Sequence, residues 1–470
     1  MSDLDPATLV EAASLVRSGK VSSVDLTLAA LERAEATHAR LNAFIEIDRD
    51  RVLMAARAAD TAVAEGRPLG SLHGVPLAHK DMYDHAGKIT GCGSKIRAGH
   101  VATANASVID RLQAAGTFSI GRLNMSEFAM GPTGHNHHHG RAINPIDSTR
   151  ITGGSSSGSG AAVGGGVVLA ALGSDTGGSI RLPAACCGVV GIKPTQGRVP
   201  RTGVMPLSFS QDCVGPLART VEDAFTILKV ISGPDGKDGT CVDAGLSPLS
   251  EDVSAIRIGL GGGMFLDGLT AEVGAAMDET IAALGPHVSS VSDIDMPDFG
   301  GIAELANVVA MSEAAAVHFD WMRERPDDYG PQLQSRLAQA LAVPAPIYLR
   351  ALQIRARMLE EFLQVAFAAC DAIVVPVMPF VAPLDAEVNV GAGPRMNAVL
   401  AGMTVFTRPF SFLGLPVVTL PVKNSNGLPV AIQIVARPWR EDIAASVARK
   451  LETVLAVGRF QPLETIRPAA

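Results

Sequence analysis

The sequence has no run of five or more basic residues, no CxxC pair and no stretch near the ~20 apolar residues that a membrane-crossing helix needs. Charged residues make up only 18% of the chain and the net charge is −8. Such a surface offers no electrostatic footprint for nucleic acid or an anionic membrane, so neither is expected as a partner. The cysteines, Cys92, Cys186, Cys187, Cys213, Cys241 and Cys370, are scattered and read as reduced thiols. Residues 1–20 carry Asp3, Asp5 and Glu11 without a long apolar core, so they do not read as a signal peptide. A cytoplasmic protein is the expectation.

What the chain does have is apolar bulk and glycine. Apolar residues account for 47%, enough for a large core, and the 48 glycines cluster between Gly153 and Gly191. The pattern predicts helices over residues 1–65, with Ser22 and Ser23 as a cap before Leu26, Ala29, Ala30 and Ala34 at helical spacing. Strands and helices then alternate, which predicts an α/β fold whose sheet is covered by helices on both faces. Residues 161–172 read as one buried helix. Residues 302–319, 331–341 and 347–369 read as helices of a cap, and 372–377, 416–421 and 430–435 as buried strands. With no repeat and no low-complexity linker, a single domain is expected. Its expected parts are N-terminal helices (1–65), a catalytic core (66–230), a variable region with the cap (231–370) and closing strands and helix (371–470).

The chemistry is carried by three short stretches: Gly153-Gly154-Ser155-Ser156-Ser157-Gly158, Asp175-Thr176-Gly177-Gly178-Ser179-Ile180-Arg181, and Lys80 in Gly74-Val75-Pro76-Leu77-Ala78-His79-Lys80-Asp81. Cutting an amide takes a nucleophile, a base that returns its proton to the leaving amine, and donors for a tetrahedral oxyanion. Two serines and a lysine can supply the first two without histidine. Thr176-Gly177-Gly178-Ser179 brings four backbone N–H groups together with little bulk around them, the makings of an anion nest.

Together with Gly188-Val189-Val190-Gly191-Ile192-Lys193-Pro194-Thr195, Asn124 to Gly131, Asn144-Pro145, Asp212 to Pro216 and Arg408 to Pro416, these motifs resemble the amidase signature family. Its members are serine hydrolases that cut carbon–nitrogen bonds with a Ser-cisSer-Lys triad. The likeness is dense over residues 40–225 and 370–440 and weak between 240 and 365. The resemblance implies the amidase signature fold: a central twisted mixed β-sheet with helices on both faces. It also implies Ser179 as nucleophile, Ser155 after a cis peptide bond as relay, and Lys80 as base. Thr176, Gly177, Gly178 and Ser179 would form the oxyanion hole; Ala129, Met130 and Gly131, with Ser155, would contact substrate. Asp175 and Arg181 would hold the loops and Ser156 would support the network. No metal or other cofactor is implied, and a homodimer is compatible with the family.

Four other readings compete. Gly154-Ser155-Ser156-Ser157-Gly158 also fits G-x-S-x-G, which would make Ser156 the nucleophile, but only His287 and His318 follow it, neither in a fitting loop. A nucleotide-binding module lacks the Gly-Lys-Ser/Thr that should follow its glycines. His135-Asn136-His137-His138-His139 could suggest a metal site, yet adjacent imidazoles cannot easily converge on one ion, so a polar lining of the pocket mouth is expected instead. Within the family, the glutaminase component of tRNA-dependent amidotransferases, which passes on ammonia, matches equally well around the triad. That component carries an acidic residue before its closing strands; residues 396–407 here have none. The expected substrate is therefore a small-molecule amide or carbamate, apolar or aromatic given Phe319, Trp321 and Tyr348 in the cap.

Overall fold

The computed structural model describes residues 6–297 and 301–456, apart from the side chain of Asn424. The outer ends of the expected domain, 1–5 and 457–470, lie outside the described residues. Strands β1 (Phe44–Ile47), β2 (Pro76–Lys80), β3 (Phe118–Leu123) and β4 (Ala170–Asp175) come from the first half of the chain. They are followed by β5 (Val190–Lys193), β6 (Cys213–Ala218), β7 (Arg257–Gly261) and β8 (Ser290–Ile294). Strands β9 (Ala372–Pro376), β10 (Val417–Ser425) and β11 (Leu428–Ala436) complete the set. All belong to one 11-stranded sheet in the order β1-β3-β2-β4-β6-β5-β10-β11-β9-β7-β8.

The sheet is mixed: β2 runs parallel to β3 and β4, β7 runs parallel to β8 and β9, and the other pairs are antiparallel. Its central strands are buried on both faces; β2, β4, β5, β6, β9 and β11 hold no exposed residue, as expected of strands sandwiched between helices. The helices begin where local chemistry allows. Ser22 accepts from the Asp25 N–H at the start of Ser23–Leu41, and Thr220 does the same for Asp223 at the start of Val221–Ile231. Among the described residues no helix is long and apolar enough to cross a membrane.

Two elements differ from expectation, the first being β1 (Phe44–Ile47), a strand within the 1–65 segment expected to be helical, drawn into the sheet by pairing with β3. The second is residues 161–172, which are not a single helix: the helix is Ser157–Gly164, and β4 starts at Ala170. Glycines 164–166 are poor helix formers, Gly166 turns left-handed with φ +76°, and the Val167-Val168 pair that follows favours extended chain. The short helix is built from small residues because neighbouring backbone presses on it. A Cβ on Gly158 would sit 2.5 Å from the Ala43 carbonyl oxygen and from the Asn124 nitrogen. Its N-terminal turn therefore lies hard against the strands, and this fixes where Ser155 and Ser156 emerge. The variable region also does more than cap the core, since β7 and β8 extend the sheet.

Candidate functional site

Lys80 ends β2, next to β4, with Ala78 and His79 in register with Ala171 and Leu172. Only 1% of its surface is exposed. Its ammonium nitrogen donates to Ser155 Oγ at 2.7 Å and to Ser174 Oγ at 2.9 Å. Burial lowers its pKa to about 7, against the opposing pull of Asp212 and Asp175. Close to neutral pH, the amine can therefore exchange a proton. Ser155 follows a cis Gly154–Ser155 bond, and its carbonyl accepts from the Ser126 N–H at 3.0 Å.

Ser156 is fully buried, and its hydroxyl is tied to the N–H and carbonyl of Ser174. A serine so enclosed cannot serve as the exposed nucleophile that the G-x-S-x-G reading requires.

Ser179 lies on the loop between β4 and the helix Arg181–Cys187, and it is partly open to a pocket. Its carbonyl accepts from the Ser156 N–H at 3.3 Å, which joins the two serine loops. Among the described residues its own hydroxyl makes no hydrogen bond, a common state before substrate tightens an active site. Asp175 organises this loop. Its carboxylate accepts from Gly178 N (2.7 Å), Ile180 N (3.2 Å) and Arg181 Nε and Nη2 (both 2.9 Å). Burial works to raise its pKa, but the Arg181 charge and hydrogen bonds prevail and hold it at about 2.

The Gly178 N–H is thus already engaged by Asp175, whereas the N–H groups of Thr176, Gly177 and Ser179 make no hydrogen bond among the described residues. Gly178 has φ +132°, and a Cβ there would fall 2.5 Å from Thr407 Oγ1, the hydroxyl that donates to the Gly177 carbonyl at 2.6 Å. Only glycine fits at that position.

The pocket at Ser179 measures about 60 Å³ and is also lined by Ala129, Met130, Gly131, Thr176 and Gly177. Its opposite wall comes from the cap and the closing segment: Ala306, Ala310, Met311, Arg336 and Arg408. Phe319, Trp321 and Tyr348 do not line it, contrary to expectation. Phe319 is exposed, Trp321 stacks on Phe128 with ring centres 5.7 Å apart, and Tyr348 donates to Glu313 at 3.0 Å. Of the three, only Trp321 grips the loop, together with Tyr329 and His318. His318 meets Phe128 edge-on at 4.4 Å, and Phe128 and Ala129 both hold left-handed backbone (φ 48° and 62°), a costly arrangement for non-glycine residues that surrounding packing must enforce.

The histidine loop has a structural task as well. His135 bonds to Thr133 and Asp385, and His138 bonds to Glu127 at 2.9 Å. None of the five residues 135–139 lines the pocket at Ser179, which corrects the expected mouth lining. No group of three or more His, Cys, Asp or Glu able to hold a metal occurs among the described residues.

Sequence reasoning missed Ser174, Thr407, Arg336 and Arg408. Ser174 had a signal, since it precedes Asp175 on the strand beside Lys80; the other three come from segments far away in sequence.

Over residues 25–443 the chain matches the family described as Amidase. It is 36% identical over 469 residues to the A component of the Glutamyl-tRNA(Gln) amidotransferase of Chloroflexus aurantiacus, covering 94% of this chain and 95% of that one. It is 37% identical over 450 residues to AtzE, a component of the 1-carboxybiuret hydrolase of Pseudomonas sp. (strain ADP), covering 94% and 97%. A solved structure described as a vestigial protein complex revealing the origins of an s-triazine catabolic enzyme is similar at a TM-score of 0.89 and 36% identity, covering 97% of this chain and 100% of that one.

Proposed function

The chain belongs to the amidase signature family, enzymes that hydrolyse amide bonds, and on that premise we propose that it cleaves a small amide through an acyl-enzyme on Ser179. Neutral Lys80 draws a proton from Ser155, which draws one from Ser179 as the Ser179 oxygen attacks the carbonyl carbon. The developing oxyanion is met by the N–H groups of Thr176, Gly177 and Ser179, each such donor being worth roughly 3–4 kcal/mol of barrier. The proton returns through Ser155 to the leaving nitrogen, the amine departs, and water attacks the acyl-enzyme by the same relay in reverse. Ala129, Met130 and Gly131 hold the acyl part. The observation that carries this reading is the buried 2.7 Å contact from Lys80 to Ser155 beside an accessible Ser179. We read the chain as one catalytic domain, with the cap of residues 301–365 closing the pocket.

A second reading, the glutaminase component of a tRNA-dependent amidotransferase, is supported about as well by the relatives' names. Against it stands the lining of the pocket, in which no Asp or Glu appears among the described residues to hold the amine of glutamine. Either way, a neutral fluorophosphonate probe should add once, at Ser179, and Ser179→Ala should abolish the adduct and lower amide turnover by about 10⁴–10⁶-fold. An adduct on Ser156, or no adduct on folded protein, would sink the mechanism. Ammonia release from glutamine only when accessory proteins are added would favour the second reading.

A further inference from the structure

We infer that Asp212 and Glu313 are positioning residues for the oxyanion hole, two buried carboxylates that tie the Thr176 donor to the cap through the turn at residues 207–212. This rests on Ser179 being the reacting centre. Asp212 is 7% exposed and Glu313 only 1%. Neither makes an ion pair among the described residues; their oxygens are held by neutral donors.

Asp212 faces the reacting loop. Its Oδ1 accepts from the Thr176 hydroxyl, and its Oδ2 accepts from the N–H groups of Leu207 (2.8 Å) and Ser208 (3.0 Å). The turn closes on itself where the Asp212 N–H donates to the Ser208 carbonyl at 2.9 Å. On its other side stands the helix Ile302–Val317, which carries Glu313. Glu313 Oε2 accepts from the Ser208 hydroxyl at 2.5 Å and the Ser210 N–H at 3.0 Å, and its Oε1 accepts from the Tyr348 hydroxyl at 3.0 Å. A second tie joins the turn to the same helix, since Gln211 Nε2 donates to the Ala306 carbonyl at 2.9 Å. Both ends of this chain of bonds face the reaction. Thr176 and Leu207 line the pocket at Ser179, and so do Ala306, Ala310 and Met311 of the helix that carries Glu313.

A carboxylate buried without a cation costs more than an apolar residue of its shape would. What it supplies is geometry: it accepts several donors at once and has no proton of its own to place. Pinning the Thr176 hydroxyl fixes that side chain's rotamer, and rotamer and backbone angles are coupled. The Thr176 N–H, which has no partner among the described residues, is thereby aimed before substrate arrives. A misplacement of about 1 Å at a reacting centre can cost on the order of 10²-fold in rate. Asp212 acts on the base as well. Burial is the largest influence on the Lys80 pKa and lowers it; the Asp212 charge is foremost among those that oppose it, ahead of Asp175 and Cys92.

The test uses the full chain and a neutral fluorophosphonate that labels Ser179. Titrating the probe separates the maximal labelling rate from the half-saturating concentration. The probe's phosphoryl oxygen occupies the oxyanion position, so the maximal rate reads the donors. Glu313→Ala and Asp212→Asn should each lower that rate by about 10- to 100-fold, while the half-saturating concentration changes by less than about threefold. Glu313→Gln keeps an acceptor for the Ser208 hydroxyl and should recover part of the loss. Asp212→Asn should also move the rise of labelling with pH to below the wild-type value of about 7, because Lys80 loses the charge that holds its pKa up while Asp175 and Cys92 remain. Glu313→Gln should leave that pH in place, a division that a merely structural loss would not produce. Wild-type maximal rates in Glu313→Ala or Asp212→Asn, or a loss carried by the half-saturating concentration alone, would overturn the inference. If Glu313→Ala does not fold, Glu313→Gln decides instead, and its maximal rate must fall at least about threefold. Absence of labelling in the wild type would strike the Ser179 mechanism itself, and this inference with it.

Discussion

Beneath Ser179, Asp175 collects six donors and Arg181 satisfies all of its guanidinium N–H groups, while across the pocket Arg408 and Arg336 meet no carboxylate among the described residues. The floor is closed on itself. It is assembled from β2, β4 and the loops that follow them, where glycines let backbones meet and the Asp175–Arg181 pair is fully hydrogen-bonded. The far wall is assembled from the helices Pro331–Leu341 and Arg408–Phe412, and its charges are unspent. The contrast separates two uses of buried charge. A satisfied ion pair fixes geometry, whereas a buried guanidinium without a carboxylate partner carries the cost of its burial uncompensated.

The largest effect should come from breaking the floor at its base. Lys80→Met removes the proton acceptor while keeping the bulk, and kcat/KM should fall by about 10²–10⁴-fold. The wild-type profile supplies the sharper reading. The reaction needs Lys80 neutral and burial holds its pKa at about 7, so kcat/KM should rise with pH through that value. A pH–rate series on the residual activity of the variant should lack that rise; a profile unchanged by the substitution would remove Lys80 from the base role.

Next in size is a stability contrast between the two walls. Asp175→Asn leaves Arg181 charged, buried and short of its partner, which should cost about 3–5 kcal/mol in urea unfolding. Arg408→Met deletes a charge that has no partner among the described residues, and should change stability by less than about 1 kcal/mol, or raise it. Equal losses in both variants would mean that Arg408 is paired in solution, and the contrast between floor and wall would fail.

Legibility in the sequence divides along the same line. Lys80, Ser155 and Ser179 were singled out because the motifs around them resemble the amidase signature family, and the structure brings Lys80 and Ser155 into contact. Glycines crowd around the serines, and Asp175 lies six residues before the arginine that it holds. The α/β class and strands β9, β10 and β11 were legible from apolar runs. The break at glycines 164–166 was not, because a buried run of Ala, Val and Leu has no polar face to reveal its period. Arg336 was illegible for another reason: on an amphipathic helix it looks like one more solvated residue. The cap aromatics were misread as a substrate surface because composition says nothing about which way a ring faces. Only Trp321 among them packs on Phe128, whose left-handed backbone it helps to hold.

The smallest expected effect tests that grip. His318 lies at 0% exposure between Phe128, Trp321 and Tyr329, its Nδ1 2.9 Å from the Tyr329 hydroxyl. Burial lowers its pKa to about 3. An unfolded histidine titrates near 6.5, so between these values the unfolded chain holds a proton that the folded chain refuses. Stability should therefore be complete above pH 6.5 and fall with acidification, by up to about 1.4 kcal/mol per pH unit from this residue. His79 and His85, with burial-depressed values of about 3 and about 4 on the floor side, add to the wild-type slope. His318→Phe isolates the cap share. The variant keeps a ring against Phe128 and loses the Tyr329 contact, a fixed cost that shifts stability equally at every pH. Its urea-unfolding free energy should lose about 2 kcal/mol less than wild type between pH 6.5 and 5. Parallel curves would mean that His318 takes up its proton in place. The cap would then loosen from Phe128 before the core yields, and the loop carrying Ala129 to Gly131 would lose its hold at mildly acidic pH.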